Sequence, residues 1–299
     1  MSSTCALQGL GVAMVTPFLP SANRPIDYDS AGRIIEHLIG NGVDFLVVLG
    51  STGEAATIAP EEQTEFVQFC TQRIAGRVPV VLGCSSNDTA ALVRRLESMS
   101  YEGVDYVLTA APAYNKPSQR GLKEHFAAAA HASQRPLILY NVPGRTGVNI
   151  LPETTCALAR EHANIVAIKE ACGDVNQVAK ILRGRPKGFA VLSGDDALTL
   201  PMMSLGATGV ISVIGNVTPR PFADLVHLTL AGKMAEAASL HMRLMPLFER
   251  LFTHGNPAGV KAAMARLGLC ENTLRLPLTT VPDEFLPLLD EAIREAQQS

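Results

Sequence analysis

The chain has 299 residues, 47% of them hydrophobic and 18% charged, with a formal net charge of −3. Apolar content this high excludes intrinsic disorder and supplies a large core. The absence of a net basic field argues against a nucleic acid backbone or an anionic membrane as partner.

The six cysteines (Cys5, Cys70, Cys84, Cys156, Cys172, Cys270) are scattered, with no C-x-x-C pair. In a chain this long they read as reduced thiols, several of them buried, and not as a disulfide or zinc framework. Met1 to Leu10 has neither a basic start nor an apolar run, so no signal peptide is expected. No stretch reaches the ~18 apolar residues of a membrane span. The expectation is a soluble, cytoplasmic, globular protein.

Short apolar runs alternate with amphipathic stretches. A strand over Gly11–Val15 is followed by a helix over Ser30–Gly40, then Phe45–Leu49 by Glu61–Ile74, and Val78–Leu82 by Thr89–Ser100. Next come Tyr106–Thr109 with Gly121–Ala132, Leu137–Tyr140 with Glu153–Arg160, and Ile165–Ile168 with Val175–Leu182. The last pairs are Ala190–Leu192 with Ala197–Leu205 and Gly209–Val213 with Pro219–Leu230. Most strands are β-branched or leucine-rich on both faces, the pattern of parallel strands covered on each side. Asp29, Asp88 and Asp174 stand where an N-cap acceptor is wanted. Eight such units predict a closed (β/α)8 TIM barrel over residues 1–232, since open sheets of this type usually stop nearer six strands. Lys233–Leu251, Pro257–Leu267 and Pro282–Ala296 then read as a C-terminal helical extension, 233–299, with no linker before it.

In a barrel, chemistry sits at the C-terminal ends of the strands. After the second strand comes Gly50-Ser51-Thr52-Gly53-Glu54, a tight turn able to present N–H groups to a small anion, or simply a glycine turn. After the fourth comes Pro112-Ala113-Tyr114-Asn115-Lys116-Pro117, and after the fifth Tyr140-Asn141-Val142-Pro143-Gly144-Arg145-Thr146-Gly147. Either tyrosine could serve packing instead of chemistry. Arg145 is placed to clamp a carboxylate, or else is a solvated loop arginine. The sixth strand ends Ile168-Lys169-Glu170. A lysine pushed into a barrel mouth is desolvated, which lowers its pKa and frees the amine for Schiff-base chemistry. The alternative is a lysine that snorkels to solvent or pairs with Glu170. Of Asp195 and Asp196, one reads as a helix cap. The seven histidines form no H-x-H or H-E-x-x-H, so no metal site is supported, and none falls at a strand end, so a Ser-His-Asp system is not supported either.

Together these motifs resemble the dihydrodipicolinate synthase family of pyruvate-dependent class I aldolases, whose superfamily also holds N-acetylneuraminate lyase. The resemblance runs from Gly11-Val12-Ala13-Met14-Val15-Thr16-Pro17-Phe18 through Asn256-Pro257-Ala258-Gly259-Val260-Lys261 to Leu274-Arg275-Leu276-Pro277. The narrower signal is Tyr114-Asn115-Lys116-Pro117 with the segment Tyr140–Gly147, because the sugar-acid lyases generally lack an arginine at the position of Arg145.

The resemblance implies that pyruvate forms an imine with Lys169, and that the derived enamine attacks the aldehyde of aspartate semialdehyde. It implies a hydroxyl relay in which Tyr140 exchanges protons beside Lys169, Ser51 passes them on and Tyr114 completes the chain. In relatives that last tyrosine crosses from the neighbouring subunit, which implies at least a dimer and favours a homotetramer built as a dimer of dimers. The N–H groups around Ser51 and Thr52 would hold the pyruvate carboxylate and Arg145 that of the semialdehyde, with Gly194 and Ile211 lining the pocket. No metal or organic cofactor is implied.

Two departures from the family pattern matter. Most synthases carry threonine where this chain has Ser51. The hydroxyl survives, but the methyl that restricts its rotamer is lost, so a looser relay is expected. The change also moves the motif toward that of the lyases. Lysine-inhibited relatives bind the amino acid at the tight dimer interface through His, Glu and Tyr. Here Pro60 and Gln63 replace the two histidines, Ala91 the glutamate and Ala113 the tyrosine, while Asn87 is kept. Losing the glutamate removes a contact typically worth about 1.5–3 kcal/mol, so weak or absent lysine feedback is expected. Two rival functions remain: a sister pyruvate-dependent aldolase or lyase acting on a sugar acid or 4-hydroxy-2-oxo acid, and a non-catalytic barrel that binds a small acid.

Overall fold

A computed structural model describes residues 7–298. Its eight strands are β1 Gly9–Ala13, β2 Phe45–Val48, β3 Val80–Gly83, β4 Tyr106–Ala110, β5 Leu137–Asn141, β6 Ile165–Glu170, β7 Ala190–Ser193 and β8 Gly209–Ser212. Each pairs in parallel with the next, and β1 closes on β8. The helices α1 Tyr28–Gly40, α2 Pro60–Ile74, α3 Thr89–Ser98, α4 Gln119–Ala132, the single turn α5 Pro143–Thr146, α6 Pro152–Glu161, α7 Val175–Gly184, α8 Thr199–Ser204 and α9 Pro219–Leu230 connect them. The result is a (β/α)8 barrel. Beyond it, α10 Met234–Phe252 packs on α9 and α12 Leu286–Ala296, with α11 Ala258–Arg266 between.

The two-sided burial of the strands reflects two apolar layers. Outward residues pack against the helices in one continuous core. Inward residues, among them Ala13, Phe45, Val47, Val81, Leu108, Ile138, Ala167, Leu192 and Ile211, fill the barrel itself. The Phe45 ring occupies the place of an absent side chain at Gly11, where a Cβ would lie 2.1 Å from a ring carbon. A glycine in this strand therefore makes room for the Phe45 ring.

Several expected boundaries shift by one or two residues, β3 starting at Val80 and α4 at Gln119 among them, and three differences have a visible cause. β1 begins two residues earlier than the apolar run suggests. Gly9 N–H donates to the Thr208 carbonyl at 2.9 Å and Leu10 N–H to Asp44 Oδ2 at 2.7 Å, anchoring the strand there. Met14 and Val15 remain buried beyond its end. The N-cap of α1 is Asp27, which accepts from Ser30 N–H at 3.0 Å, and Asp29 lies in the first turn. Asp88 and Asp174 cap α3 and α7 as expected. α8 starts only at Thr199, because Asp195 Oδ1 binds the N–H groups of Ala197 and Leu198 first. Its neighbour Asp196 turns the other way and accepts from Val213 and Ile214 N–H at 3.0 and 2.8 Å.

Cys70, Cys84, Cys156 and Cys270 are buried free thiols and Cys172 a partly buried one, while Cys5 lies outside the described residues. Among the described residues no helix is long and apolar enough to cross a membrane.

Candidate active site

The strand ends open into a cavity of about 1090 Å³. Six of the residues singled out in the sequence line it together: Ser51, Thr52, Tyr140, Arg145, Lys169 and Gly194. Lys169 is only 6% exposed, so its amine belongs to the cavity and does not snorkel to bulk solvent. Nζ lies 4.3 Å from the centroid of the Tyr140 ring, a cation–π contact that holds the amine against the aromatic face.

This pairing has a local cause. β5 and β6 slip by one residue between Leu137 and Ile138, so that Ile138 pairs with Ala167 and Tyr140 with Lys169. Val166 is the extra residue. Such an irregularity re-aims the side chains that follow it, and here it brings lysine and tyrosine into the interior at one level. Gly194, at the end of β7, leaves the space into which Lys169 extends. A Cβ there would stand 3.0 Å from Lys169 Cε and 2.8 Å from Ala171 Cβ.

Glu170 does not pair with Lys169. It faces the opposite side of the sheet, buried, and accepts from Asn141 Nδ2 at 2.9 and 3.1 Å, Gln177 Nε2 at 3.1 Å and Cys172 N–H at 2.9 Å. Burial raises its pKa above the ordinary carboxyl range, against the pull of those hydrogen bonds. This network ties the end of β5 to β6 directly behind Tyr140 and Lys169.

The Gly50–Glu54 segment is a 3-10 turn over Ser51–Gly53. Gly53 and Glu54 N–H close it on the carbonyls of Gly50 and Ser51 at 3.0 and 3.1 Å. The N–H groups of Ser51 and Thr52 stay outside this bonding, as the first donors of any helical turn do. Thr52 is buried, and its Oγ1 accepts from Asn256 Nδ2 at 2.9 Å. The carbonyl of Asn256 in turn accepts from Arg145 Nη2 at 3.2 Å. Arg145 rides on α5, exposed at the rim. Asn256 therefore links the two anion-binding candidates. Sequence reasoning gave it no role, because the contacts span 204 and 111 residues.

Two predicted pocket residues stand apart. Ile211 is 1% exposed and packs in the barrel interior instead of forming the cavity wall. Tyr114 is 88% exposed, with its backbone at φ 71 and its N–H on the Thr146 carbonyl at 3.1 Å. It does not enter the cavity of its own chain.

Beside the mouth, α2 and α3 enclose a second cavity of about 740 Å³ that shares Leu49, Pro60, Gln63 and Arg95 with the first. Gln63 has its amide committed: Nε2 donates to the carbonyls of Ala55 and Ile58 at 3.0 and 2.8 Å, and Oε1 accepts from Arg95. Gln63, one of the positions expected to differ from lysine-inhibited relatives, is thus already bonded to a guanidinium, a contact invisible in the sequence.

The whole-chain comparisons agree with one another. The model of the dihydrodipicolinate synthetase family matches residues 6–296. A 4-hydroxy-tetrahydrodipicolinate synthase of Phocaeicola vulgatus is 49% identical, over 91% of this chain and 91% of that one. Its counterpart in Parabacteroides distasonis is 46% identical over 97% and 95%. The crystal structure of dihydrodipicolinate synthase from Aquifex aeolicus superposes with a TM-score of 0.93 at 42% identity, covering 97% of this chain and 98% of that one.

Proposed function

The chain belongs to the dihydrodipicolinate synthetase family, and from that premise we infer that it condenses pyruvate with L-aspartate 4-semialdehyde to 4-hydroxy-tetrahydrodipicolinate. This is a lyase-class reaction of lysine and diaminopimelate biosynthesis, here assigned to the cytoplasm. The observation that carries the mechanism is the Lys169 amine, enclosed in the cavity against Tyr140.

In this reading the Lys169 amine attacks the ketone of pyruvate, and the resulting carbinolamine takes up a proton and loses water to leave a protonated imine. The cationic nitrogen draws electrons from the adjacent methyl, which gives up a proton and becomes the nucleophilic carbon of an enamine. That carbon bonds to the aldehyde carbon of the second substrate, whose oxygen takes up a proton. The semialdehyde's own amine then displaces the lysine and closes the ring. Each step moves a proton within a partly dry pocket, which suits a relay through Tyr140, Ser51 and a second copy's Tyr114. The exposure of Tyr114 supports its serving another subunit, within a homotetramer built as a dimer of dimers. The unspent N–H groups of Ser51 and Thr52 suit the pyruvate carboxylate, and Arg145 suits that of the semialdehyde.

The test mixes purified chain with both substrates and follows product through a coupled reductase. The Arg145→Ala variant discriminates between this reaction and that of a sister lyase. It is expected to lower kcat/KM for the semialdehyde about 100-fold, the scale of losing a hydrogen-bonded charge. Borohydride trapping of the pyruvate imine should proceed as in the wild type. If turnover of the semialdehyde is absent in the wild type while a sugar acid is cleaved, the second substrate is misassigned.

Feedback by lysine is expected to be weak or absent, because Ala91 offers no carboxylate to an ammonium and Gln63 is already bonded to the Arg95 guanidinium. An inhibition curve measures this directly, and half-inhibition below about 1 mM lysine, the threshold of millimolar affinity, would contradict it.

A further inference from the structure

Lys261 stands in the middle of α11, among buried small and apolar residues from Ala258 to Met264. Its side chain is fully buried, as is that of Glu54, with which it forms an ion pair. A buried pair regains its desolvation cost only when its remaining polar atoms are bonded. Here Lys261 Nζ also donates to the Thr273 carbonyl at 2.8 Å and lies 4.1 Å from the Phe18 ring centroid. Glu54 Oε2 accepts from Arg275 N–H at 2.9 Å.

The pair matters because of where Glu54 sits. Its N–H closes the Ser51–Gly53 turn on the Ser51 carbonyl, and its own backbone is left-handed at φ 53. Side chains other than glycine seldom occupy that region, so the surroundings must hold it there. The Thr57 hydroxyl fixes the Glu54 carbonyl at 3.0 Å, and Lys261 and Arg275 fix its carboxylate. α11 and the loop that follows it thereby grip the turn through Glu54, while Asn256 holds Thr52.

We propose that Lys261 is a positioning residue for carboxylate recognition: acting through Glu54, it sets the Ser51–Gly53 turn at the angle that receives pyruvate. The inference rests on the reading of this cavity as a pyruvate site. Lys261 touches no substrate, and its effect is confined to the turn, so the two substrates should respond differently when the pair is removed.

The experiment compares Lys261→Met, Glu54→Gln and the double variant in the full chain. It reads thermal midpoint, KM for each substrate, and the pyruvate concentration giving half-maximal borohydride trapping at Lys169. Lys261→Met leaves a buried carboxylate without its cation and is expected to lower the midpoint. It should also raise half-saturation by pyruvate about tenfold, a loss within the range for slight misplacement of a binding group, with KM for the semialdehyde within about twofold of wild type. In the double variant the new side-chain amide can still accept from Arg275 N–H through its oxygen, and no lone charge remains. The midpoint should return, but the raised pyruvate half-saturation should persist. Return of both together would make the pair a structural brace and overturn the proposal, as would wild-type pyruvate half-saturation in every variant. Should Lys261→Met fail to fold, Glu54→Gln and the double variant decide on the same two readouts. A wild-type chain that traps no imine overturns the pyruvate reading itself, and this inference with it.

Discussion

Replacing Lys169 by alanine is expected to lower kcat by about 10⁴- to 10⁶-fold, the scale on which enzymes lose rate when their nucleophile is removed. The same variant should form no borohydride-stable adduct with pyruvate. The size of the effect follows from the geometry. The described residues lining the cavity include no other lysine. Lys261, the other buried lysine among the described residues, is committed to Glu54 and Thr273, so no described lysine is placed to take over. The fold should tolerate the change: Lys169 makes no salt bridge among the described residues, its backbone stays in β6, and Glu170 keeps its bonds to Asn141 and Gln177. A normal melting curve with no adduct and no turnover is the expected triple result. Mass spectrometry of the trapped protein, with turnover in parallel, measures it. Substantial turnover in the variant would remove the imine from the mechanism altogether.

The second large effect is expected from Tyr140→Phe. The ring that supports the Lys169 amine remains, so the nucleophile should keep its place. Only the hydroxyl is lost, and with it the proton exchanger proposed beside the amine. General acid–base catalysis by one positioned group is worth about 10²- to 10⁴-fold, and kcat should fall within that span. Since imine formation itself needs proton transfer, trapping of pyruvate should become slow but reach completion. Rates of trapping and of turnover, measured side by side, separate the two functions of this residue. Retention of more than about a tenth of the wild-type rate, well above that span, would assign proton transfer to another group. A drop in the extent of trapping, and not only its rate, would mean that the hydroxyl also positions the amine.

Most of the architecture was legible because the physics is local. Eight runs apolar on both faces, each followed by an amphipathic stretch, leave little room for anything but a covered parallel sheet, and all eight strands stand within two residues of their predicted starts. The errors fall where two neighbouring residues are equally suited to one task. Asp27 and Asp29 both could cap α1, and the contact with Ser30 decides between them. The run Gly9–Val15 is apolar throughout, and only Asp44 and Thr208 show where its strand begins.

The site divides in the same way. Lys169, Tyr140, Ser51, Thr52, Arg145 and Gly194 share a cavity because each lies at or just beyond a strand end, which periodicity already located. What escaped was long-range. The single-residue slip that aligns Tyr140 with Lys169 has no signature in either strand alone. Arg95 beside Gln63, and Asn256 beside Thr52, join segments far apart in the chain. One faint signal was present: a lysine inside Ala258-Gly259-Val260-Lys261-Ala262-Ala263-Met264 has no solvated face to occupy and must find an anion indoors. The distant residue that supplies it could not be read from the run. Tyr114 shows the opposite limit: its motif was legible in the sequence, yet its exposed side chain lies outside the cavity of its own chain.

The apolar plug around Phe45 and Ile211 has a consequence for timing. With Val47, Val81, Leu108, Ile138, Ala167 and Leu192 packed beneath Lys169, the described barrel is a blind well. Whatever enters must leave by the way it came. The water expelled as the imine forms shares its exit with the entrance of the second substrate. Traffic through one door therefore couples departure to arrival: a ring still in the mouth holds back the next pyruvate. That coupling is set by the filling of the barrel's far end, well away from any group that makes or breaks a bond.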